Sequence, residues 1–228
     1  MDFQKLNREM GKPCETARES ARRKWNHIAK PVGSLGVLEE DIVKIAALTG
    51  CEKVSISPRA VLVMCSDNGV ACPDIAITPV RITKVVAELM ARRQSNVCRM
   101  AAMARAEVYP YDVGMMTRSL EPGLLDFHVC DGTDNIACGP AMSRELAEEL
   151  ILFGMERVRA LKDAGFRLLA TGEMGVGNTT TSAAMAAALL GLPPERVTGR
   201  GSGLDDKSLA RKVAVIQRAI DVNRPDPA

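Results

Sequence analysis

The sequence is poor in the residues that build metal and redox centres. Two histidines, His27 and His128, stand in 228 residues, and none of the seven cysteines falls in a C-x-x-C pair. His27 lies among basic residues and His128 in an irregular stretch. Neither has a ligand partner at motif spacing, so both read as surface or packing residues and no metal site is expected. An odd number of cysteines, at positions 14, 51, 65, 72, 98, 130 and 138, argues against a disulfide framework and for a reducing compartment. Charge of one sign is also lacking: 30 basic and 28 acidic residues leave a net +2, too weak a field to draw the chain toward nucleic acid or anionic lipid. No stretch approaches the roughly eighteen consecutive apolar residues of a membrane span. Residues 1–10 are polar, with no apolar core of a signal peptide. The expectation is a cytoplasmic protein with no nucleic-acid or membrane partner.

What is present is 46% hydrophobic residues in a length suited to one large domain, or a domain with a small appendage. Residues 15–30 and 37–49 carry apolar positions at helical spacing. These are Ala17, Ala21, Trp25 and Ile28 in the first, then Leu38, Ile42, Ile45 and Ala46, with Gly50 as the stop. The break between them is Lys30-Pro31-Val32-Gly33-Ser34-Leu35-Gly36. No strand signal precedes residue 56, so residues 1–55 read as a helical part and residues 56–228 as an α/β domain.

The first strand is the continuously apolar Ala60-Val61-Leu62-Val63-Met64-Cys65, as expected where helices cover both faces. It runs into Ser66-Asp67-Asn68-Gly69-Val70. Polar groups just past the carboxyl end of a parallel strand lie where open α/β sheets bind ligands, which makes Ser66 and Asp67 candidates. Turn chemistry explains Asp-Asn-Gly equally well. A helix opening at Thr78-Pro79, with Ile82, Val85, Val86 and Leu89 inward, and a short helix from Ser95 lead to a second strand over residues 106–114. Pro110 in that strand argues for an edge or a change of course. A long irregular stretch, 116–140, suits a binding loop. A helix over 143–163 follows, with Leu146, Leu150, Val158 and Leu161 inward.

The chain is organised around Gly172-Glu173-Met174-Gly175-Val176-Gly177-Asn178-Thr179-Thr180. Before it lies the apolar run Phe166-Arg167-Leu168-Leu169-Ala170-Thr171, suited to a buried third strand, and after it an alanine-rich helix. A glycine turn there presents unpaired amides at the positive end of a helix dipole, the physical requirement for holding a phosphate. Gly172 and Gly177 have the spacing of a Walker loop, but Asn178 replaces the lysine. The loop therefore lacks the ammonium that grips outer phosphates, which favours a monophosphate over a triphosphate. Glu173 can hydrogen-bond a sugar hydroxyl or face a developing positive charge. A turn that merely packs helix on sheet is the alternative. A second glycine turn, Gly199-Arg200-Gly201-Ser202-Gly203-Leu204-Asp205-Asp206, opens the last helix. On its wheel Lys212 lies within about sixty degrees of the apolar stripe, so it either reaches under the sheet's rim or snorkels at the boundary.

Taken in order, these segments, together with Gly132-Thr133, Asn135, Pro140-Ala141-Met142 and Arg211-Lys212, resemble the nicotinate-nucleotide:dimethylbenzimidazole phosphoribosyltransferase family. The resemblance covers almost the whole chain. It implies a doubly wound, mostly parallel sheet with helices on both faces, a small N-terminal helical appendage and a homodimer using no cofactor. It implies transfer of phosphoribosyl from nicotinate mononucleotide to dimethylbenzimidazole or a related base, giving α-ribazole 5'-phosphate and nicotinate for cobalamin lower-ligand assembly. Glu173 then falls at the transferred ribose as the catalytic carboxylate. Gly175, Gly177, Asn178, Thr179, Gly201, Ser202 and Gly203 fall around the phosphate, Lys212 on the phosphate-binding lysine, and Ser66 and Asp67 along the base pocket. Asn68 stands where many relatives have His. The family's general base, a glutamate in a C-terminal segment, has no counterpart before Ala228, and three strands form an incomplete sheet for so many helices. The expectation is weak transfer by a truncated chain, or else a non-catalytic protein that binds a nucleoside monophosphate. A nucleoside triphosphatase is disfavoured by Asn178.

Overall fold

A computed structural model of the chain describes residues 11–71 and 76–226. The polar start at residues 1–10, Cys72 and the last two residues lie outside the described residues. The chain divides after Ser57 into two compact units.

In the first unit α1 spans Glu15–His27 and α2 spans Val37–Thr49. Small residues set their packing: Ala21 of α1 meets Val43 and Ala46 of α2, with Trp25 and Val54 against them. Gly50 ends α2 in the left-handed conformation, φ 64°, with its amide on the Ala46 carbonyl. The buried face of α2 is Glu39, Val43, Ala46 and Ala47, whereas Leu38, expected inward, is 56% exposed. The reason is Glu39. It pairs with Lys30 at 2.6 Å and accepts the Leu35 amide at 3.0 Å, so the face carrying Glu39 turns toward the preceding loop. These contacts, the Lys30 hydrogen bond first, hold the Glu39 carboxyl below the usual range.

The second unit is a four-stranded sheet of β1 (Arg59–Ser66), β2 (Ala106–Gly114), β3 (Leu125–Asp126) and β4 (Leu168–Met174). The order is β3-β2-β1-β4 with every pair parallel. Helices α3 (Ile82–Ala91) and α4 (Asn96–Met103) connect β1 to β2, α5 (Arg144–Asp163) leads to β4, and α6 (Asn178–Leu190), α7 (Pro194–Val197) and α8 (Asp206–Asn223) follow. Alternate residues of β1 serve opposite faces. Val63 and Cys65 join Ala87, Met90 and Cys98 on one side; Ala60 and Leu62 join Tyr111, Phe153 and Leu161 on the other. The expected α/β sheet covered on both faces is what forms.

Several expectations shift. A two-residue strand, β3, emerges from the irregular stretch, making four strands among the described residues rather than three. It covers the outer side of β2 only at Tyr111 and Asp112, so Pro110 sits in a strand whose outer edge is otherwise unpaired among the described residues. The third expected strand runs later, through Gly172, Glu173 and Met174, and it is an outer strand with Leu168, Ala170, Thr171 and Glu173 exposed to differing degrees. Pairing with β1, Val63 against Gly172 and Cys65 against Met174, continues the ladder past the first glycine. Helix α3 begins at Ile82 rather than at Thr78 and buries Thr83, Ala87 and Met90; Val85 is 45% exposed. On α5 the inward residues are Phe153 and Leu161, while Val158 is 41% exposed. Ser95 and Ser143 cap α4 and α5, accepting the amides of Cys98 and Leu146.

Winding reverses at β1, with β2 added on one side and β4 on the other, so a crevice opens beyond the carboxyl ends of β1 and β4. The ring cluster beneath it is tight: Phe153 stacks on Phe127 at 3.6 Å and meets Tyr111 edge-on at 5.4 Å. Replacing Phe153 by Ala is expected to cost about 3–5 kcal/mol in urea unfolding. A loss under about 1 kcal/mol would show that these rings do not anchor α5.

Candidate phosphate-binding site

At the end of β4 the backbone must pass the end of β1 without a side chain. A Cβ on Gly175 would collide with the Ser66 carbonyl and lie 2.7 Å from Glu173 Oε1 and 2.8 Å from Asn68 Nδ2. Two residues on, Gly177 takes φ +92° and serves as the N-cap of α6. The turn closes through Asn178 N–H to the Gly175 carbonyl (3.1 Å) and Thr180 N–H to the Gly177 carbonyl (2.9 Å). Because Gly172 is part of β4, the free glycine turn is the short Gly175-Val176-Gly177 and not the longer Walker-spaced loop.

A cavity of about 240 Å³ opens on this turn. Of the expected residues, Gly175, Gly177, Asn178, Thr179, Gly201, Ser202 and Lys212 line it; Gly203 does not. Lys212, in the second turn of α8, is 1% exposed. Its ammonium donates to Thr179 Oγ1 at 2.7 Å and to the Gly199 carbonyl at 3.1 Å. Of the three donors of an ammonium, two are therefore taken among the described residues. Burial pushes the Lys212 pKa down. Gly201, φ +56°, crosses over this pair, and a Cβ there would stand 3.2 Å from Thr179 Oγ1 and 3.6 Å from the Lys212 nitrogen.

The other expected residues are placed differently. Glu173, in β4, accepts a short hydrogen bond from the Asn178 side-chain amide and so reaches the rim of the cavity through a residue that lines it. Although Glu173 as a residue is exposed, desolvation of its carboxyl raises its pKa, opposed by that bond. Ser66 and Asp67 do not line the cavity. Ser66 Oγ donates to the Gly114 carbonyl at 3.1 Å, and Asp67 accepts the Met116 amide at 2.8 Å. Asp67 also donates its own amide to the Gly114 carbonyl and accepts the Thr133 amide on its carbonyl, both at 3.0 Å. The two residues thus knit β1 to the turn after β2 and to the 132–133 loop. His128, read as a surface or packing residue, is buried between carboxylates: Nδ1 lies 3.2 Å from Asp112 and Nε2 2.9 Å from Asp131. Among the described residues no group of three His, Cys, Asp or Glu side chains is arranged to hold a metal ion.

Three lining or supporting residues escaped the sequence reading. Arg200 lines the cavity and is held by Asp206 (2.5 Å) and the Leu204 carbonyl (2.9 Å). Ile82, at the start of α3, closes the cavity's apolar side. Thr83, wholly buried, accepts the Val176 amide at 3.1 Å. A polar residue at buried spacing on an apolar helix was the available signal for Thr83.

An α/β sheet thus carries a glycine turn at its switch point with a helix N-terminus and a buried lysine around one cavity. The chain belongs to the phosphoribosyltransferase family DBI_PRT, whose model matches residues 10–228. It is 42% identical over 212 residues to nicotinate-nucleotide–dimethylbenzimidazole phosphoribosyltransferases of Shigella sonnei strain Ss046 and Escherichia coli strain SMS-3-5, covering 92% of this chain and 59% of each relative. The chain thus spans about six-tenths of the length of these relatives. A crystal structure of CobT from Thermus thermophilus superposes with a TM-score of 0.87 at 39% identity, over 93% of this chain and 64% of that one.

A buried lysine with a lowered pKa makes a prediction about alkaline stability. Below its folded pKa both states carry the proton and the folded state bears the full penalty. As pH rises toward the ordinary 10.5, the unfolded chain binds more protons than the folded one, so stability increases through that window. Relative to Lys212→Met, the wild-type protein should therefore gain stability as pH climbs toward 10.5, read as the difference in melting temperature. A signed difference, wild type minus Lys212→Met, that falls over that range would overturn the assignment.

Proposed function

We propose that this chain binds nicotinate mononucleotide and takes part in transferring its phosphoribosyl group to 5,6-dimethylbenzimidazole or a related base. The products are α-ribazole 5'-phosphate and nicotinate, for assembly of the cobalamin lower ligand. The observation that carries the proposal is the Lys212 ammonium, buried yet with a donor to spare among the described residues, beside the first turn of α6 in a cavity at the switch point of the sheet. The names of the relatives supply the substrates.

The phosphate would sit against the N-terminal turn of α6, where amides lack intrahelical carbonyls and the dipole is positive, and take the free donor of Lys212. This fixes the ribose, with its anomeric carbon toward Glu173 and the end of β4. The C1'–N bond of the nicotinate ring breaks and its electron pair returns to the ring nitrogen, cancelling the pyridinium charge. Positive charge then builds on the ribose, and a carboxylate at the rim stabilises it. A benzimidazole nitrogen closes on the opposite face, inverting the centre, and the other ring nitrogen gives its proton to a base. The raised pKa of Glu173 makes that side chain the described carboxylate best suited to exchange a proton here. A homodimer and a cytoplasmic location belong to the same reading. The first rests on the family resemblance and is tested by sedimentation; the second is supported by the free state of the six described cysteines.

Calorimetry should show nicotinate mononucleotide binding to the wild-type chain, weakened about 10–100-fold by Lys212→Ala, the worth of a charged hydrogen bond. Addition of dimethylbenzimidazole should then release nicotinate, and Glu173→Gln should slow that release more than it weakens binding. An affinity unchanged by Lys212→Ala, or tighter binding of ATP than of the mononucleotide, would sink the proposal.

A further inference from the structure

The turn that faces the phosphate is gripped from outside by two side chains that belong to neither the turn nor its helix. Val176 lies between Gly175 and Gly177, and both of its peptide groups are taken. Its N–H donates to Thr83 Oγ1 of α3 at 3.1 Å, and its carbonyl accepts from Asn68 Nδ2, just past β1, at 3.2 Å. Thr83 is 0% exposed and its bond to the Val176 amide is buried, so water does not substitute for that acceptor. Asn68 is itself steadied by close packing against Gly177, with Thr181 Oγ1, which donates to the Asn178 carbonyl at 2.8 Å, standing 3.4 Å from Asn68 Oδ1.

The planarity of the trans peptide turns this grip into a direction. Within one peptide unit the carbonyl and the following N–H point opposite ways. With the Val176 carbonyl held toward Asn68, the Gly177 N–H must point away from Asn68; Gly177 lines the cavity and Asn68 does not. With the Val176 N–H held toward Thr83, the Gly175 carbonyl points away from Thr83, where it accepts the Asn178 amide. A turn with glycines on both sides of one residue has many other states open to it. The grip removes them.

We propose that Thr83 and Asn68 are positioning residues that clamp the Val176 peptides and so aim the Gly177 amide at the bound phosphate. The inference rests on the reading of this cavity as the phosphate site and adds to it the device that holds the turn in its binding shape. Thr83→Val keeps the shape of the side chain but leaves the Val176 amide buried without an acceptor, whereas Thr83→Ser keeps the oxygen.

The test compares wild type, Thr83→Val, Thr83→Ser, Asn68→Ala and the Thr83→Val/Asn68→Ala double variant by amide NMR and calorimetry with nicotinate mononucleotide and inorganic phosphate. In the free protein, Thr83→Val should lower the exchange protection of the Val176 amide and move the resonances of Gly175 to Thr179, with those of β1 and β2 in place; Thr83→Ser should restore them. Affinity for both ligands should fall about tenfold in Thr83→Val and recover in Thr83→Ser. The double variant should lose less than the product of the single losses, because both act through one residue. Mononucleotide binding that responds to Lys212→Ala but not to Thr83→Val would overturn the clamp and leave the site reading intact. If wild type binds neither ligand the site reading fails, and an unprotected Val176 amide in the free wild-type protein would overturn the clamp by itself.

Discussion

A positive charge held out of water is the constraint around which the second unit is arranged. Moving an ammonium from water into protein costs several kcal/mol even after relaxation, and two neutral oxygens compensate it only in part. Lys212 nevertheless sits at 1% exposure on Thr179 and the Gly199 carbonyl. For that arrangement to stand, α8 must lie against α6, which it does through Ala183, Ala184 and Ile216, and the chain between them passes over the ammonium at Gly201, whose φ of +56° favours glycine. The free protein therefore holds a cation short of its full complement of partners among the described residues. An anion in the cavity would complete that complement.

The carboxyl ends of the strands divide the work between them. Beyond β1 and β2 the backbone amides are answered by the protein's own anions. Asp112 takes those of Gly114 and Met115 at 3.0 and 2.9 Å, and Asp67 takes that of Met116 at 2.8 Å. His128 bridges Asp112 to Asp131 and draws the irregular loop over this end. Beyond β4 no carboxylate of the described residues accepts a backbone amide of the turn; the Val176 amide goes to a neutral hydroxyl, and the helix terminus is left facing the cavity. The same local chemistry, amides at a strand end, is closed on one side of the switch point and open on the other.

What could be read from the chain follows from which physical signals are local. The glycine turn and the helix starts at Ser95 and Ser143 are properties of a few consecutive residues, and each lies where spacing placed it; for Lys212 spacing left two sides open, and the inward one is found. The errors are all about partners distant in sequence. A run such as Phe166 to Thr171 has the same letters whether a strand is central or lies at the border of the sheet, so the exposure of Leu168 could not be seen. The buried face of α3 turned on Thr83, which a hydrophobicity count assigns to the outside and which is inward because an amide 93 positions away needs an acceptor. Ser66 and Asp67 were placed correctly at the strand end, but whether they face a ligand or the neighbouring turn depends on where Gly114 and Met116 come to lie.

The extension of β4 through Gly172 also bears on which phosphate the cavity suits. A Walker loop wraps a chain of phosphates because several residues of free backbone lie between its first and last glycines. Here the first of those glycines is paired in the sheet with Val63, and the free backbone is cut to Gly175-Val176-Gly177. On the β4 side the rim of the cavity carries Glu173, whose carboxylate is bonded to Asn178, the residue standing where a triphosphate site would place its lysine. A carboxylate there repels an extended polyphosphate at short range, while the single ammonium of Lys212 lies on the opposite, α8 side. Positive and negative groups are thus separated across the turn. That separation suits the proposed reaction, in which a single phosphate is held on the α8 side while positive charge develops on the ribose, on the side of the Glu173 carboxylate.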